Sequence, residues 1–156
     1  MTNPTNITAQ PGMPFLDVVR DFDAAPAQVF RAWTEADLIV RWLGPRHLKM
    51  ELLEFDAHSG GAYRYVHSDS SGSYTFRGVF HTVAPNELII QTFEFDGAPD
   101  QVCLESVRFS SVDGRTRVTT HSVFPSVEAR DMAVASGMNS GIVESMERVD
   151  ELLSEL

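Results

Sequence analysis

The chain has 156 residues, a formal net charge of −10 and a hydrophobic content of 43%. This length predicts one domain with a sizeable core, and the negative charge disfavours binding to nucleic-acid phosphates and to anionic membrane surfaces. Because no apolar run reaches the ~18 residues that a membrane-spanning helix needs, we also expect no membrane insertion.

The N-terminal segment is polar and lacks the basic and apolar regions of a signal peptide. Cys103 is the single cysteine of the chain. No internal disulfide can therefore form, which is typical of a protein in a reducing compartment. We predict a cytoplasmic protein with a flexible arm at residues 1–12 and a single domain at residues 13–156.

The first predicted elements are one strand and two short helices. Residues 13–23 mix Phe, Leu and Val with polar residues, which predicts a strand. A proline suited to the first helical position then opens an amphipathic helix over Pro26–Thr34, and a second short helix covers residues 35–42. Gly44 and Pro45 end that second helix, because neither residue readily continues one.

Alternating apolar and polar residues predict six further strands, separated by turn-forming residues. The strongest hairpin signal is Asp113-Gly114, which lies between two runs rich in β-forming residues. With the first strand this makes seven strands, and their short links predict a mostly antiparallel sheet. The six strands are predicted at residues 47–56, 62–68, 73–83, 87–95, 102–112 and 115–124.

The last segment, residues 126–156, contains no proline and has apolar residues at helical spacing. Ser126 is suited to cap a helix, and Glu128 places negative charge where the helix dipole favours it. We therefore predict one long amphipathic helix. The simplest way to bury its apolar stripe is a curved sheet wrapped around it.

The predicted fold class is thus α+β. A seven-stranded curved antiparallel sheet surrounds a long C-terminal helix, and two short helices between strands 1 and 2 brace one end.

Four segments, in this order, are similar to segments of a known family. They are the helix pair that ends in Trp42-Leu43-Gly44-Pro45, the paired glycines Gly60-Gly61 between two strands, residues 77–88, and the glycine-containing closing helix. The chain resembles the activator of 90-kDa heat-shock-protein ATPase homologue family, within the START or SRPBCC superfamily of birch-pollen-allergen-like proteins and polyketide cyclases. The resemblance implies the helix-grip fold. It leaves function open, since members include lipid carriers, hormone-binding proteins, cyclases and chaperone co-factors.

Aromatic side chains are predicted to line a cavity between the sheet and the C-terminal helix. The strands at 62–68 and 73–83 each place three ring-bearing side chains on one face, although a bulge near Gly78 could reverse that face. Methionines suit an irregular pocket, and Asn139 would need a partner if buried, either a ligand oxygen or a strand. The alternative is a completely filled core. The candidate ligand-binding residues are Trp33, Trp42, Tyr63, Tyr65, His67, Tyr74, Phe76, Phe80, Phe93, Met138, Asn139, Ile142 and Met146.

No motif in the sequence predicts catalysis. The five histidines show no metal-binding spacing, and neither a nucleophile elbow nor a nucleotide-binding glycine pattern is present. His67 and His121 could act as acid–base groups with Glu94 or Glu105 if they face inward, and the alternative is that they face solvent. We therefore assign no catalytic residue, no metal and no cofactor.

The favoured hypothesis is a protein that binds a small apolar or amphipathic molecule, which enters near the loop at residues 42–45. The second is a cyclase- or aromatase-type enzyme that uses the same cavity, which requires at least two polar side chains to converge inside it. The polar candidates are Tyr63, Tyr65, His67, His121, Glu94, Glu105 and Asn139.

The third hypothesis follows from the family name and is stimulation of a chaperone ATPase. Members with that activity resemble multi-domain proteins with an additional N-terminal domain, whereas a short polar arm precedes the domain here. We therefore rank a chaperone partner below a small molecule. A homodimer through an exposed sheet edge is compatible with this fold class.

Overall fold

In the computed structural model, which describes residues 3–156, eight strands form one antiparallel sheet in the order β1-β2-β8-β7-β6-β5-β4-β3. The predicted α+β class, with a curved antiparallel sheet and a C-terminal helix, is confirmed, and the strand count is one higher than predicted. The strands are β1 (Thr5–Thr8), β2 (Phe15–Phe22), β3 (Lys49–Phe55), β4 (Ala62–Asp69), β5 (Gly72–Ala84), β6 (Leu88–Phe95), β7 (Cys103–Val112) and β8 (Arg115–Val123). The helices are α1 (Pro26–Thr34), α2 (Ala36–Ile39), α3 (Val127–Ala135) and α4 (Met138–Leu153).

The additional strand lies in the segment predicted to be a flexible arm. Over Thr5–Thr8 that prediction is wrong, because β1 pairs with β2 in the register Ile7 opposite Val18. Arg20 also donates a hydrogen bond of 2.7 Å from Nη1 to Thr5 Oγ1. A four-residue polar strand has too little apolar alternation to be recognised in a sequence. The first two residues of the predicted arm lie outside the described residues.

The predicted hairpin at Asp113-Gly114 is confirmed. Val112 of β7 pairs with Arg115 of β8, so these two residues form the whole loop. Both have positive φ angles, 51° for Asp113 and 78° for Gly114. That is the backbone of the two-residue turns whose twist matches antiparallel strands.

Two irregularities curve the sheet. The register shifts between Leu52 and Glu54 where β3 pairs with β4, and between Phe80 and Thr82 where β5 pairs with β6. Such bulges bend a strand and increase its twist. The inner face of the curved sheet is then covered by α4, in which Val149 is 0% exposed.

The predicted long C-terminal helix is divided in two. Ser126 caps α3 as expected, since its Oγ accepts a hydrogen bond of 3.0 Å from Ala129 N. The helix ends at Ser136, and Gly137 has a φ of +93°, a left-handed conformation that glycine adopts readily. A periodic apolar pattern does not reveal such a change of direction. The helix that packs along the sheet is therefore α4, 16 residues long, or roughly 24 Å.

The two short helices brace one end of the core, as predicted. Trp42, just after α2, is 2% exposed, and its indole N–H donates to Ala32 O over 2.8 Å. Its ring lies 4.5 Å from that of Trp33, which in turn contacts Phe109 edge-on at 5.6 Å. Over residues 3–156, no helix has both the length and the apolar composition that crossing a bilayer requires.

Candidate functional site

A cavity of about 320 Å³ lies between the inner face of the sheet and α4. Met138, Ile142 and Met146 line it from α4, and Trp33 and Trp42 line it from the helical segment after β2. Its volume falls in the lower part of the range of small-molecule pockets, roughly 300–1,000 Å³. The fold therefore leaves room for a compact molecule.

Eleven of the thirteen residues predicted from the sequence as ligand-binding candidates line this cavity. Those eleven are Trp33, Trp42, Tyr63, Tyr65, His67, Phe76, Phe80, Phe93, Met138, Ile142 and Met146. Their inward orientation is unaffected by the bulge considered near Gly78, because the register shift comes after Phe80. Whether they contact a ligand stays a prediction.

Tyr74 and Asn139 do not line the cavity. Tyr74 follows the β4–β5 turn, and it is 39% exposed with its ring 6.3 Å from that of Phe95. Asn139 lies in the first turn of α4, and its Oδ1 atom is buried without a hydrogen-bond partner among the described residues. The strand hydrogen bond considered for this oxygen is not formed, and the ligand contact stays a prediction.

The sheet side of the cavity is a wall of stacked rings. Phe93 stacks on Phe76 at 5.4 Å, Phe76 on Tyr65 at 5.2 Å, and Tyr65 on Tyr63 at 6.1 Å, all with interplanar angles below 25°. Offset stacking of this kind is favourable and holds each ring in one orientation. The wall is consequently apolar and preformed.

The absence of a side chain at Gly78 leaves room for the Tyr63 ring of this wall. A Cβ atom there would collide with the carbonyl of Thr92 and would approach the Tyr63 hydroxyl to 2.6 Å. Without it, the Tyr63 hydroxyl donates a hydrogen bond of 2.5 Å to Thr92 O. The hydroxyl donor of Tyr63 is thus paired with a backbone carbonyl at the edge of the cavity.

The loop after α2 forms one border of the cavity and is tied to α4. Gly44 N donates to Ser145 Oγ over 2.8 Å, and Arg148 Nη1 donates to Gly44 O over 2.8 Å. Gly44 has a φ of +100°, and a Cβ there would lie 2.5 Å from the His67 ring. Pro45, also on this border, lies close to Gly141 of α4, where an added Cβ atom would be 4.0 Å from Pro45 Cδ. The loop predicted as the entrance therefore lines the cavity.

His67 closes the same region from β4. Its side chain is buried, and Nε2 lies 3.1 Å from Leu43 O. Burial lowers the pKa of His67, and the charge of Arg148 lowers it further, whereas the hydrogen bond to Leu43 O opposes both effects. The ring is therefore held in its neutral form.

Among the described residues that line the cavity, Glu105 on β7 is the one with a carboxyl group. Gln91 Nε2 donates to its Oε1 and Ser122 Oγ donates to its Oε2, each over 3.1 Å. Burial raises the pKa of Glu105, and these two hydrogen bonds oppose the shift. Among the described residues that line the cavity there is no lysine or arginine.

The neighbours of Glu105 stay protonated. Burial raises the pKa values of Tyr63 and Tyr65, and the nearby Glu105 charge raises them further. Burial, with the same charge, raises the pKa of the Cys103 thiol to about 12. The two phenols can therefore donate hydrogen bonds, while the thiol is unreactive at neutral pH.

Two other candidate acid–base residues lie away from the cavity. His121 Nδ1 is 2.6 Å from Asp17 Oδ1, and both side chains are about 40% exposed on the opposite face of the sheet. Glu94 accepts hydrogen bonds from Arg77 Nε at 3.0 Å and from Asp100 N at 2.8 Å. The inward orientation considered for these two is wrong.

Several polar cavity residues were not among the sequence-based candidates, chiefly Gln91, Thr120, Ser122 and Ser145. Thr120 and Ser122 alternate along β8 with the same period as the buried Val118, which is the signal that could have identified them. In the part of the chain that the structure describes, no group of three or more His, Cys, Asp or Glu side chains is placed to hold a metal ion.

Several solved structures share this fold. A crystal structure from Rhodobacter sphaeroides has 27% identity and a TM-score of 0.87, with 97% of this chain and 100% of that chain covered. A solution structure from Arthrobacter aurescens has 23% identity and a TM-score of 0.88, with 97% and 92% covered. DynU16, a protein in the dynemicin biosynthetic locus, has 16% identity and a TM-score of 0.70, with 90% of this chain and 47% of that chain covered.

No curated protein sequence matches the chain significantly. A family model, that of the Activator of Hsp90 ATPase homolog 1-like proteins, matches residues 23–154. This is most of the chain, and it confirms the resemblance inferred from the four sequence segments. The chain belongs to the Activator of Hsp90 ATPase homolog 1-like family.

Proposed function

We propose that this protein binds a small, mainly apolar molecule in the cavity between the sheet and α4. The observation that carries the proposal is the cavity itself, about 320 Å³, whose wall of stacked rings is interrupted by few polar groups. Pockets with this combination are typical of small-molecule sites.

The expected affinity is moderate. Apolar surface removed from water contributes roughly 25 cal/mol per Å², so a ligand that buries about 250 Å² gains roughly 6 kcal/mol. Its loss of translational and rotational freedom offsets part of that gain. We therefore expect dissociation constants nearer micromolar than nanomolar for a ligand that only fills the volume.

The test is a titration with N-phenyl-1-naphthylamine, a neutral apolar dye whose fluorescence rises on transfer from water. The variant Ile142→Trp fills the cavity from α4. The matched control, Met132→Trp, adds the same ring on α3, where Met132 is 74% exposed. We expect one dye per chain for the native protein and for the control, and about tenfold weaker binding to Ile142→Trp.

Native mass spectrometry of the gently purified protein complements the titration, because it detects a retained molecule directly. Absence of dye binding to the folded native protein would refute the proposal. Equal binding to Ile142→Trp, shown to be folded by its thermal transition, would place the dye elsewhere and would refute it as well.

A cyclase- or aromatase-type activity is the second candidate, and one observation favours it. Tyr65, His67 and Glu105 all line the cavity, which meets the requirement for at least two convergent polar groups. The likeness to DynU16 supports the fold alone at 16% identity. A triketide thioester of N-acetylcysteamine is a suitable probe, and cyclisation faster than in buffer, lost in Glu105→Gln, would favour the enzyme.

The activity in the family's name is a separate prediction for this chain. Stimulation of the ATPase of the cell's own chaperone by the purified protein would establish it. The proposal of a small-molecule site includes a cytoplasmic location and a single binding unit at residues 13–156, which fractionation and limited proteolysis would test.

A further inference from the structure

We propose that the Glu105 carboxylate selects the ligand, and that the cavity takes an apolar molecule carrying one amino group while it excludes apolar carboxylic acids. This inference rests on the proposed function, since it names the ligand class of the same cavity. It comes from the hydrogen-bonding capacity of Glu105, from the charges around the cavity and from the rings beside the carboxylate.

The carboxylate has unused capacity to accept hydrogen bonds. An ionised carboxylate offers about four lone-pair sites. Gln91 and Ser122 occupy one site on each oxygen, and both donors are neutral. The remaining sites belong to a side chain that lines the cavity. A ligand with N–H donors can fill them, whereas a ligand carboxylate would meet like charge.

Within the described part of the chain, no lysine or arginine lines the cavity to compete for this carboxylate. Of the described residues lining the cavity, His67 is the one with a basic side chain, and its Nε2 is engaged at 3.1 Å with Leu43 O. Arg148, beside the cavity, donates instead to Gly44 O. An ammonium group would therefore supply a counter-charge that the fold itself does not provide, in surroundings where charge interactions are weakly screened.

The rings beside Glu105 strengthen the preference. Tyr63 and Tyr65 both lie close enough for the Glu105 charge to raise their pKa values. The faces of such rings attract cations, and a carboxylate next to stacked aromatic rings is a suitable environment for an ammonium group. The formal charge of −10 also raises the local concentration of cationic ligands and lowers that of anionic ones.

The desolvation cost is divided unequally between the partners. Burying an ion pair is often unfavourable because both groups leave water. Here Glu105 has already left bulk water when the chain folds. Binding of an amine therefore adds only the free-energy cost of removing the amine itself from water. A neutral ligand of the same shape leaves the carboxylate without its additional partner. The amine is therefore the favoured member of an otherwise matched series.

The experiment compares three probes that share one apolar body: 2-naphthylmethylamine, 2-methylnaphthalene and 2-naphthoic acid. Each displaces N-phenyl-1-naphthylamine from the full-length protein at pH 7, where the amine is cationic and the acid anionic. We expect the amine to bind at least about tenfold more tightly than methylnaphthalene, because hydrogen bonds to charged groups are stronger than those between neutral groups. The acid should bind most weakly of the three.

Two variants assign this preference to Glu105. Glu105→Gln keeps the shape of the side chain and is expected to bring the amine to within about twofold of methylnaphthalene. Glu87→Gln, an exposed position near the β5–β6 turn, removes the same charge from the surface and should keep the native preference. The wild-type order of the three probes tests the proposal even if Glu105→Gln fails to fold.

The outcomes separate this inference from the function on which it rests. Equal binding of amine and methylnaphthalene, tighter binding of the acid, or an amine preference that survives in folded Glu105→Gln would overturn the role of Glu105. In each of these cases the cavity would still bind apolar molecules. If the dye and all three probes fail to bind, the proposed function itself is refuted.

Discussion

The two ends of the space beneath the sheet contain similar aromatic residues but are filled differently. At one end, Trp33, Trp42 and Phe109 pack ring against ring, and Trp42 is 2% exposed. At the other end, Phe76 and Tyr65 stack along the sheet and leave a cavity of about 320 Å³ before α4. Aromatic content alone therefore does not decide between a core and a pocket.

The difference comes from what covers the sheet. At the filled end, Trp33 of α1 and Trp42, just after α2, fill the space beneath the strands and border the cavity. Beyond these two tryptophans, the strands that line the cavity present polar groups such as Gln91, Glu105 and Ser122. Groups that need hydrogen bonds resist collapse onto an apolar helix. The pocket thus lies where the second helical layer ends and the inner face becomes polar.

The largest expected effect is at the filled end. Trp42→Ala removes a ring that is 2% exposed and leaves Ala32 O without its indole donor, so we expect a loss of about 3–5 kcal/mol in the free energy of unfolding. The matched change at the open end, Met146→Ala, should cost only about 1–2 kcal/mol, because that side chain already borders empty space. Urea denaturation measures both, and equal losses would contradict the distinction between the two ends.

The next effect is at the border loop. Gly44→Ala combines a left-handed backbone with a collision against the His67 ring. Gly60→Ala is the control, since its φ of +91° is similar and nothing lies within 4 Å of the added Cβ. We expect the control to cost about 1–2 kcal/mol from the backbone alone, and Gly44→Ala to cost about 1–3 kcal/mol more.

The collision at Gly44 can be isolated by a second substitution. In a His67→Ala background the added Cβ has room, so the excess cost of Gly44→Ala over Gly60→Ala should disappear. An excess that persists without the His67 ring would mean that the loop, rather than the ring, imposes the requirement for glycine.

Much of this architecture was predictable because it depends on local patterns. Alternation gave the strands from residue 15 onward, Asp113-Gly114 gave the hairpin, and the aromatic faces gave most of the cavity wall. The strand at Thr5–Thr8 was not predictable, since it is short, polar and stabilised by pairing with β2. The break at Gly137 depends on one φ angle, which helical periodicity does not record.

The cavity's polar residues show a different limit. The sequence places Glu105 among the polar candidates for an acid–base role but does not predict it as a ligand-binding residue. Its position inside follows from the sheet register, which pairs it with Gln91 on one side and Ser122 on the other. Three polar residues from three strands become one hydrogen-bonded group only after the strands are aligned.

A smaller effect, with a defined dependence on pH, is expected from Glu105. Its pKa is raised by burial, so the unfolded chain releases this proton near pH 4.5 while the folded chain still holds it. Above that pH the folded state binds more protons, and stability falls as pH rises through the raised pKa. Glu105→Gln abolishes that loss. The free energy of unfolding of this variant, relative to that of the native protein, should therefore rise from pH 4.5 to 7. Urea denaturation across this range measures it, and a constant difference would contradict the raised pKa.

The smallest effect is expected from His67 and has the opposite sign. Burial lowers the pKa of this histidine, so below about pH 6.5 the unfolded chain takes up a proton that the folded chain does not. Stability is therefore lost as pH falls through that region, and His67→Gln should reduce the loss. His81→Gln, at an exposed position, is the control and should follow the native curve.

Because the Glu105 effect weakens stability towards high pH and the His67 effect towards low pH, the double variant should have a flatter profile than either single variant. A double-variant profile as steep as those of the single variants would mean that other groups dominate, and that the open end of the core contributes little to the protein's response to pH.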